Sequence, residues 1–143
     1  MNINIYYDNV RFRLRESTKI KRLIAEVIGK EEKVPGDLSF IITSDKTLRN
    51  INKEFLNHNY YTDVIAFNYS VAKRINGEVY ISIDTVRENA ANYKISLKRE
   101  ILKVFIHGVL HLCGYDDKTK REKNVMSDKE DFWVEKYVQG KWN

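Results

Sequence analysis

The sequence predicts an α/β (α+β) fold in a single domain over residues 1–143, with a mixed four-stranded sheet and about five helices, one of them central and buried. Three features predict it. Short segments alternate apolar with polar residues at the strand period, while longer ones repeat apolar residues at the helical period. The two kinds succeed one another along the chain, as in a sheet covered mainly on one face by helices. The stretch from Leu97 to Cys113 is apolar on nearly every side, the pattern of a helix at the centre of a core.

Taken in order, Asn2 to Tyr7 alternates polar residues with Ile3, Ile5 and Tyr7 and reads as a half-buried first strand. Ser17 can cap a helix whose apolar positions Ile20, Leu23, Ile24, Val27 and Ile28 keep the helical period, with Gly29 placed to end it. After a turn at Pro35 and Gly36, Leu38 to Ile42 reads as a strand, and Asp45 can start a short helix through Leu48, Ile51 and Phe55. Asp63 to Tyr69 and Gly77 to Ile83 form two more candidate strands, joined by a polar loop that can close a hairpin. Thr85 followed by Glu88 makes a capping-box pattern for a helix carrying Val86, Ala90 and Tyr93. The apolar helix from Leu97 follows. A last helix, from about Lys120 to Tyr137, places Val125, Met126, Trp133 and Tyr137 on one face; Trp142 has no assigned place.

Composition narrows the function classes. Lys and Arg number 25 against 20 Asp and Glu, a net charge of +5, which draws polyanions weakly but also fits an ordinary mixed-charge surface. Cys113 is the sole cysteine, so no internal disulfide forms, in keeping with a reducing compartment. No secretory signal opens the chain and no apolar run is long enough to span a bilayer, so the expected location is the cytoplasm, with no membrane partner. Six glycines, one proline and the absence of repeats or low-complexity tracts mark no domain boundary.

Chemistry concentrates in the buried helix. His107 and His111 stand four residues apart, so both imidazoles leave the same face and can approach one point. Gly114 can take the left-handed conformation that stops a helix and brings the chain back past the histidines. Asp117 then becomes a third candidate ligand, leaving a coordination position open for water, as catalytic sites do. The alternative is two hydrogen-bonded core histidines, which an i, i+4 pair often is. Two unpartnered imidazoles in an apolar helix are costly, however, and the helix stop and carboxylate that follow favour the metal. The pair resembles the H-E-x-x-H helix of zinc peptidases, but Gly108 replaces the glutamate that serves them as general base, so peptidase chemistry is disfavoured.

The segment His107-Gly108-Val109-Leu110-His111-Leu112-Cys113-Gly114-Tyr115-Asp116-Asp117 resembles the signature H-G-x-L-H-L-x-G-Y-D-H of the YbeY family, matching it everywhere but at the last position. Leu48 to Phe67 is similar to the family's L-N-x-x-Y-R-x-x-D-x-P-T-D-V-L-S-F segment, most closely at Thr62, Asp63 and Val64, and Gly77 to Asp84 is similar to its G-D-I-x-I-S strand. Glu100 and Glu130 fall where the family also tends to carry acids. The resemblance implies a zincin-like fold and a single-metal endoribonuclease, usually with zinc, working in the cytoplasm on ribosomal RNA and the small ribosomal subunit; DNA is not an expected substrate.

Departures from the family define further expectations. Its third metal-binding histidine aligns with Asp117, with Asp116 as the alternative ligand. Two imidazoles and a carboxylate still suit Zn2+, while the added negative charge favours somewhat harder ions such as Mn2+. The family's basic residue that would hold a backbone phosphate aligns with Leu56, for which Arg49, Lys53 or His58 could substitute, or else remain simply exposed residues. Tyr61 replaces a proline before Thr62. Asp63 can orient or deprotonate the attacking water, or be a turn residue, and Tyr60 or Tyr61 can stack on RNA bases or pack. Cys113 reads as a buried inert thiol, and Asp116 to Lys123 as the solvated start of the last helix. Two rival classes share the same residues: a non-haem iron oxygenase, whose facial triad is also two histidines and a carboxylate, and a non-catalytic ribosome-assembly factor.

Overall fold

A computed structural model describes residues 2–57 and 62–140. The alternation of Ile3 and Tyr7 with polar residues forms β1 (Asn2–Tyr7), and the helical period of Ile20 to Ile28 forms α1 (Ser17–Lys30). The elements β2 (Val34–Thr43), α2 (Asp45–Leu56), β3 (Val64–Asn68) and β4 (Arg74–Ser82) follow, and then α3 (Ile83–Tyr93), α4 (Leu97–Leu112) and α5 (Lys120–Val138). The sheet has the order β1-β2-β4-β3, with β1 and β4 parallel to β2 and β3 antiparallel to β4, so it is mixed and β3 is an edge.

One face of that sheet holds the core. Leu38, Phe40 and Ile42 of β2 and Val79 and Ile81 of β4 are buried, while the alternating Ser39, Ile41, Glu78 and Tyr80 are only partly covered. Against the buried face lie α1 and α4, and α4 also touches α3 and α5, which makes it the central element. Leu102, Phe105, Ile106, Val109 and Leu110 of α4 are at most 1% exposed, and each such side chain contributes about 1.5–3 kcal/mol on burial. No helix among the described residues is long and apolar enough to cross a membrane.

Element boundaries correct the sequence reading in several places. Glu16, not Ser17, is the N-cap of α1, without a side-chain cap bond, and the helix runs past Gly29 to Lys30. Pro35 and Gly36 lie inside β2 at an irregularity of its pairing with β4, because a bulge absorbs a proline that a regular ladder cannot. Ser82 caps α3 by accepting from the Thr85 N–H, so Thr85 sits inside the helix it was expected to start. The capping box belongs instead to α5, where Thr119 and Glu122 satisfy each other's backbone N–H groups. Asp63 and Tyr69 flank β3 rather than belong to it, and β4 starts at Arg74. Phe55, Tyr93 and Val125, expected on apolar faces, are exposed.

Candidate metal centre

Helix α4 carries His107 and His111 on one side, where they leave the core and become half-buried. Their Nε2 atoms are 3.0 Å apart. The chain after α4 turns back through a Schellman motif: Gly114 N–H donates to His111 O at 3.0 Å and Tyr115 N–H to Leu110 O at 3.0 Å, with Gly114 at φ +105°. That reversal puts Asp117 Oδ2 at 3.3 Å from His107 Nε2 and 3.5 Å from His111 Nε2. The three donor atoms lie within 4.8 Å of one another, and this group could hold a metal ion. Asp116 lines the same cleft but stands outside the group.

The outer nitrogens decide the tautomers. His111 Nδ1 lies 2.8 Å from the Tyr115 carbonyl, which can only accept, so this nitrogen carries the proton. His107 Nδ1 lies 2.5 Å from Glu130 Oε2 and donates to that carboxylate. With the Nδ1 protons so placed, the Nε2 atoms face each other and the Asp117 carboxylate, and a cation between them can take a lone pair from each. The surroundings favour positive charge at this point: burial disfavours a charged His107, but the Glu130 hydrogen bond and the carboxylates of Glu130, Asp117 and Asp63 outweigh it and raise its pKa. The donor set of two imidazoles and one carboxylate fits a divalent ion.

Glu130, an acid to which the sequence alone gives no role, sits beside His107. It is buried on α5 on the same stripe as Met126, Trp133 and Tyr137, so a charge on an apolar helical face was the signal for it. Tyr115 anchors the returning loop twice, by its carbonyl and by its hydroxyl, which donates to Glu31 Oε1 at 2.6 Å. Gly108 has a packing reason: a Cβ there would lie 2.7 Å from Val79 Cγ1, so α4 approaches β4 too closely for the glutamate of a peptidase. Cys113 is buried, and burial pushes its thiol up to about 11, so it is not a thiolate ligand.

Two cavities meet at this centre, sharing Asp63, His107 and Asp117 on their walls. The larger, of about 600 Å³, runs along Thr62 to Ala66 at the start of edge strand β3 and is also lined by Leu56, Asn68 and Lys118. Leu56 thus stands on its wall, whereas Arg49 and Lys53 are not among the described residues that line it. The smaller cavity, of about 260 Å³, reaches Glu100, Lys103 and Glu130. Burial raises the pKa of Asp63 against the attraction of His107, and burial likewise raises that of Glu100. His58, Tyr60, Tyr61 and Trp142 lie outside the described residues.

Comparison with known proteins adds a family. The family model described as Endoribonuclease YbeY matches residues 3–138. A protein named endoribonuclease YbeY from Flavobacterium psychrophilum is 43% identical over 122 residues, covering 85% of this chain and 87% of its own. Its namesake from Karelsulcia muelleri is 42% identical over 140 residues, covering 95% and 99%. The solution structure of TM1509 from Thermotoga maritima superposes with a TM-score of 0.65 at 28% identity, over 98% of this chain and 91% of that one.

Proposed function

This chain belongs to the YbeY family, and from that premise we propose that it is a single-metal endoribonuclease that works as one unit in the cytoplasm on ribosomal RNA of the small subunit. One observation carries the reading: both His Nε2 lone pairs and the Asp117 carboxylate face a common point, with both Nδ1 protons already committed elsewhere. His107, His111 and Asp117 are the proposed ligands, and Zn2+ the proposed ion, with Mn2+ as the alternative that the carboxylate favours. A divalent cation held there supplies Lewis acidity, acidifying water and offsetting charge on phosphoryl oxygens.

The remaining tasks fall to side chains. Asp63 stands where both cavities meet, and its raised pKa brings it closer to that of a neutral-pH base, which suits it to hold the attacking water and take its proton. Lys118 is the one cation among the described residues lining the larger cavity, so it takes the phosphate-holding task that Leu56 cannot perform. Val64, Ile65 and Ala66 give that cavity an apolar wall against which sugar and base can lie.

The test is cleavage of a ribosomal RNA fragment by purified protein. Zinc-loaded enzyme is expected to cut it, a chelator to stop cutting, and added zinc to restore it in the absence of oxygen. Asp117→Ala is expected to stay folded and bind the RNA without cleaving it. Undiminished cleavage by that variant would overturn the assignment of the centre.

A further inference from the structure

The smaller cavity holds a group that the proposed hydrolysis leaves unused. Glu100 projects from α4 two turns before His107, is 3% exposed, and lines this cavity. Its Oε1 has no hydrogen-bond partner among the described residues. A buried acceptor without a donor destabilises the fold, and such a group calls for an explanation in what comes to meet it.

The surroundings restrict the occupant. Asp63, Asp117 and Glu130 also line the cavity against a single lysine, Lys103, so carboxylates outnumber cations on its wall and a neutral group is admitted more readily than a phosphate. A neutral group offering N–H donors is attracted instead. At about 260 Å³ the space takes one nucleobase and not a longer segment. Tyr93, 59% exposed, lines the cavity too, with Lys103 Nζ 6.0 Å from its ring centroid. An aromatic face for stacking and a cation for the next phosphate therefore flank the acidic floor.

We propose that this cavity is a nucleobase subsite beside the scissile phosphodiester, in which Glu100 accepts N–H hydrogen bonds from the base. Guanine fits best, because its N1–H and N2–H match the two oxygens of one carboxylate. The inference rests on RNA being the substrate. Its location gives a reason for a helix otherwise built for the core to keep a carboxyl at that turn: the cavity Glu100 lines has His107 and Asp117, two of the proposed metal ligands, on its wall.

The test compares oligoribonucleotides of one length that carry guanosine, inosine or uridine at each position around the cut. Cleavage is read as kcat/KM, and affinity is read separately by fluorescence anisotropy with the cleavage-deficient His111→Ala protein. Guanosine at one position is expected to be preferred over inosine by about tenfold in both readouts. Glu100→Leu is expected to erase that preference while its zinc affinity stays that of the wild type, and Glu100→Gln, which replaces an acceptor oxygen by a donor, to turn the preference away from guanosine. Circular dichroism checks folding, and the Gln variant decides alone should the Leu variant unfold. Cleavage without base preference by the wild type, or an equal loss on all substrates in the variants, overturns the subsite. A wild type that neither binds nor cuts any of these RNAs is a separate result, and overturns the RNA reading itself.

Discussion

At the scale of residues, the site is held by carboxyls whose surroundings oppose their charge, and stability reports this directly. Glu100 is buried with no partner for Oε1 among the described residues, and its folded pKa lies above the ordinary value, mainly through burial. Its contribution to stability is then fully present below the unfolded pKa near 4.5 and is lost as pH rises through the folded value, because the unfolded chain gives up the proton first. Glu100→Gln removes that dependence. The variant is expected to be more stable than wild type at pH 7, by about 1 kcal/mol, and to lose the advantage below pH 4. Urea melts at the two pH values measure it, and a variant equally stable or less stable at pH 7 contradicts the account. Glu130 behaves otherwise, since its carboxylate is used: it fixes the His107 ring through Nδ1. Glu130→Ala is expected to weaken zinc binding by about 10–100-fold, as measured by competition with a chelating dye, with Glu130→Gln retaining more of the affinity because its amide oxygen still accepts.

At the scale of elements, the loop after α4 is what converts two helical histidines into a three-donor group. Gly114 holds φ +105°, a region that side-chain-bearing residues rarely adopt, and the two Schellman bonds on Leu110 and His111 depend on it. A Cβ there meets nothing within 4 Å among the described residues, so the expected effect of Gly114→Ala is backbone strain rather than crowding. The variant is expected to lose about 1–2 kcal/mol and to bind zinc more weakly, because relaxation of the turn carries Asp117 away; calorimetry and metal titration on one sample test both. The same segment shows how far the sequence could be read. The helical spacing of His107 and His111, the stop at Gly114 and the return of Asp117 are local, and the structure brings them together as that spacing requires. Capping was harder to read, because Ser82 and Thr85 compete for one helix start and only the end of β4 decides between them. Pro35 and Gly36 read as a turn, since a bulge inside a parallel pair leaves no local mark. Glu130 reaches His107 across 23 residues of chain and so could be noticed as a charge on an apolar face but not paired.

At the scale of the whole molecule, a net charge of only +5 draws polyanions weakly, so contact with a polyanion depends on where the charges lie. Lys118 lines the larger cavity, and Lys118→Ala is expected to weaken RNA affinity uniformly across sequences and to lower the slope of log affinity against log salt by about 0.7–1. An unchanged slope would move the phosphate contact elsewhere. The metal acts on the whole fold in a different way. Its proposed ligands lie on α4 and on the loop that follows, and Glu130 links them to α5, so an ion that binds the folded chain alone draws on contacts absent from the unfolded one. Binding then stabilises by mass action, about 2.7 kcal/mol when free zinc is a hundredfold above Kd, which at this chain length raises Tm by roughly 8 °C. Chelated protein is therefore expected to melt lower, its Tm to climb with the logarithm of added zinc, and Asp117→Ala to flatten that climb without lowering the melting point of the chelated protein by more than a few degrees. A Tm indifferent to zinc in the wild type, or a climb as steep in Asp117→Ala, would mean that these three side chains do not hold the ion together.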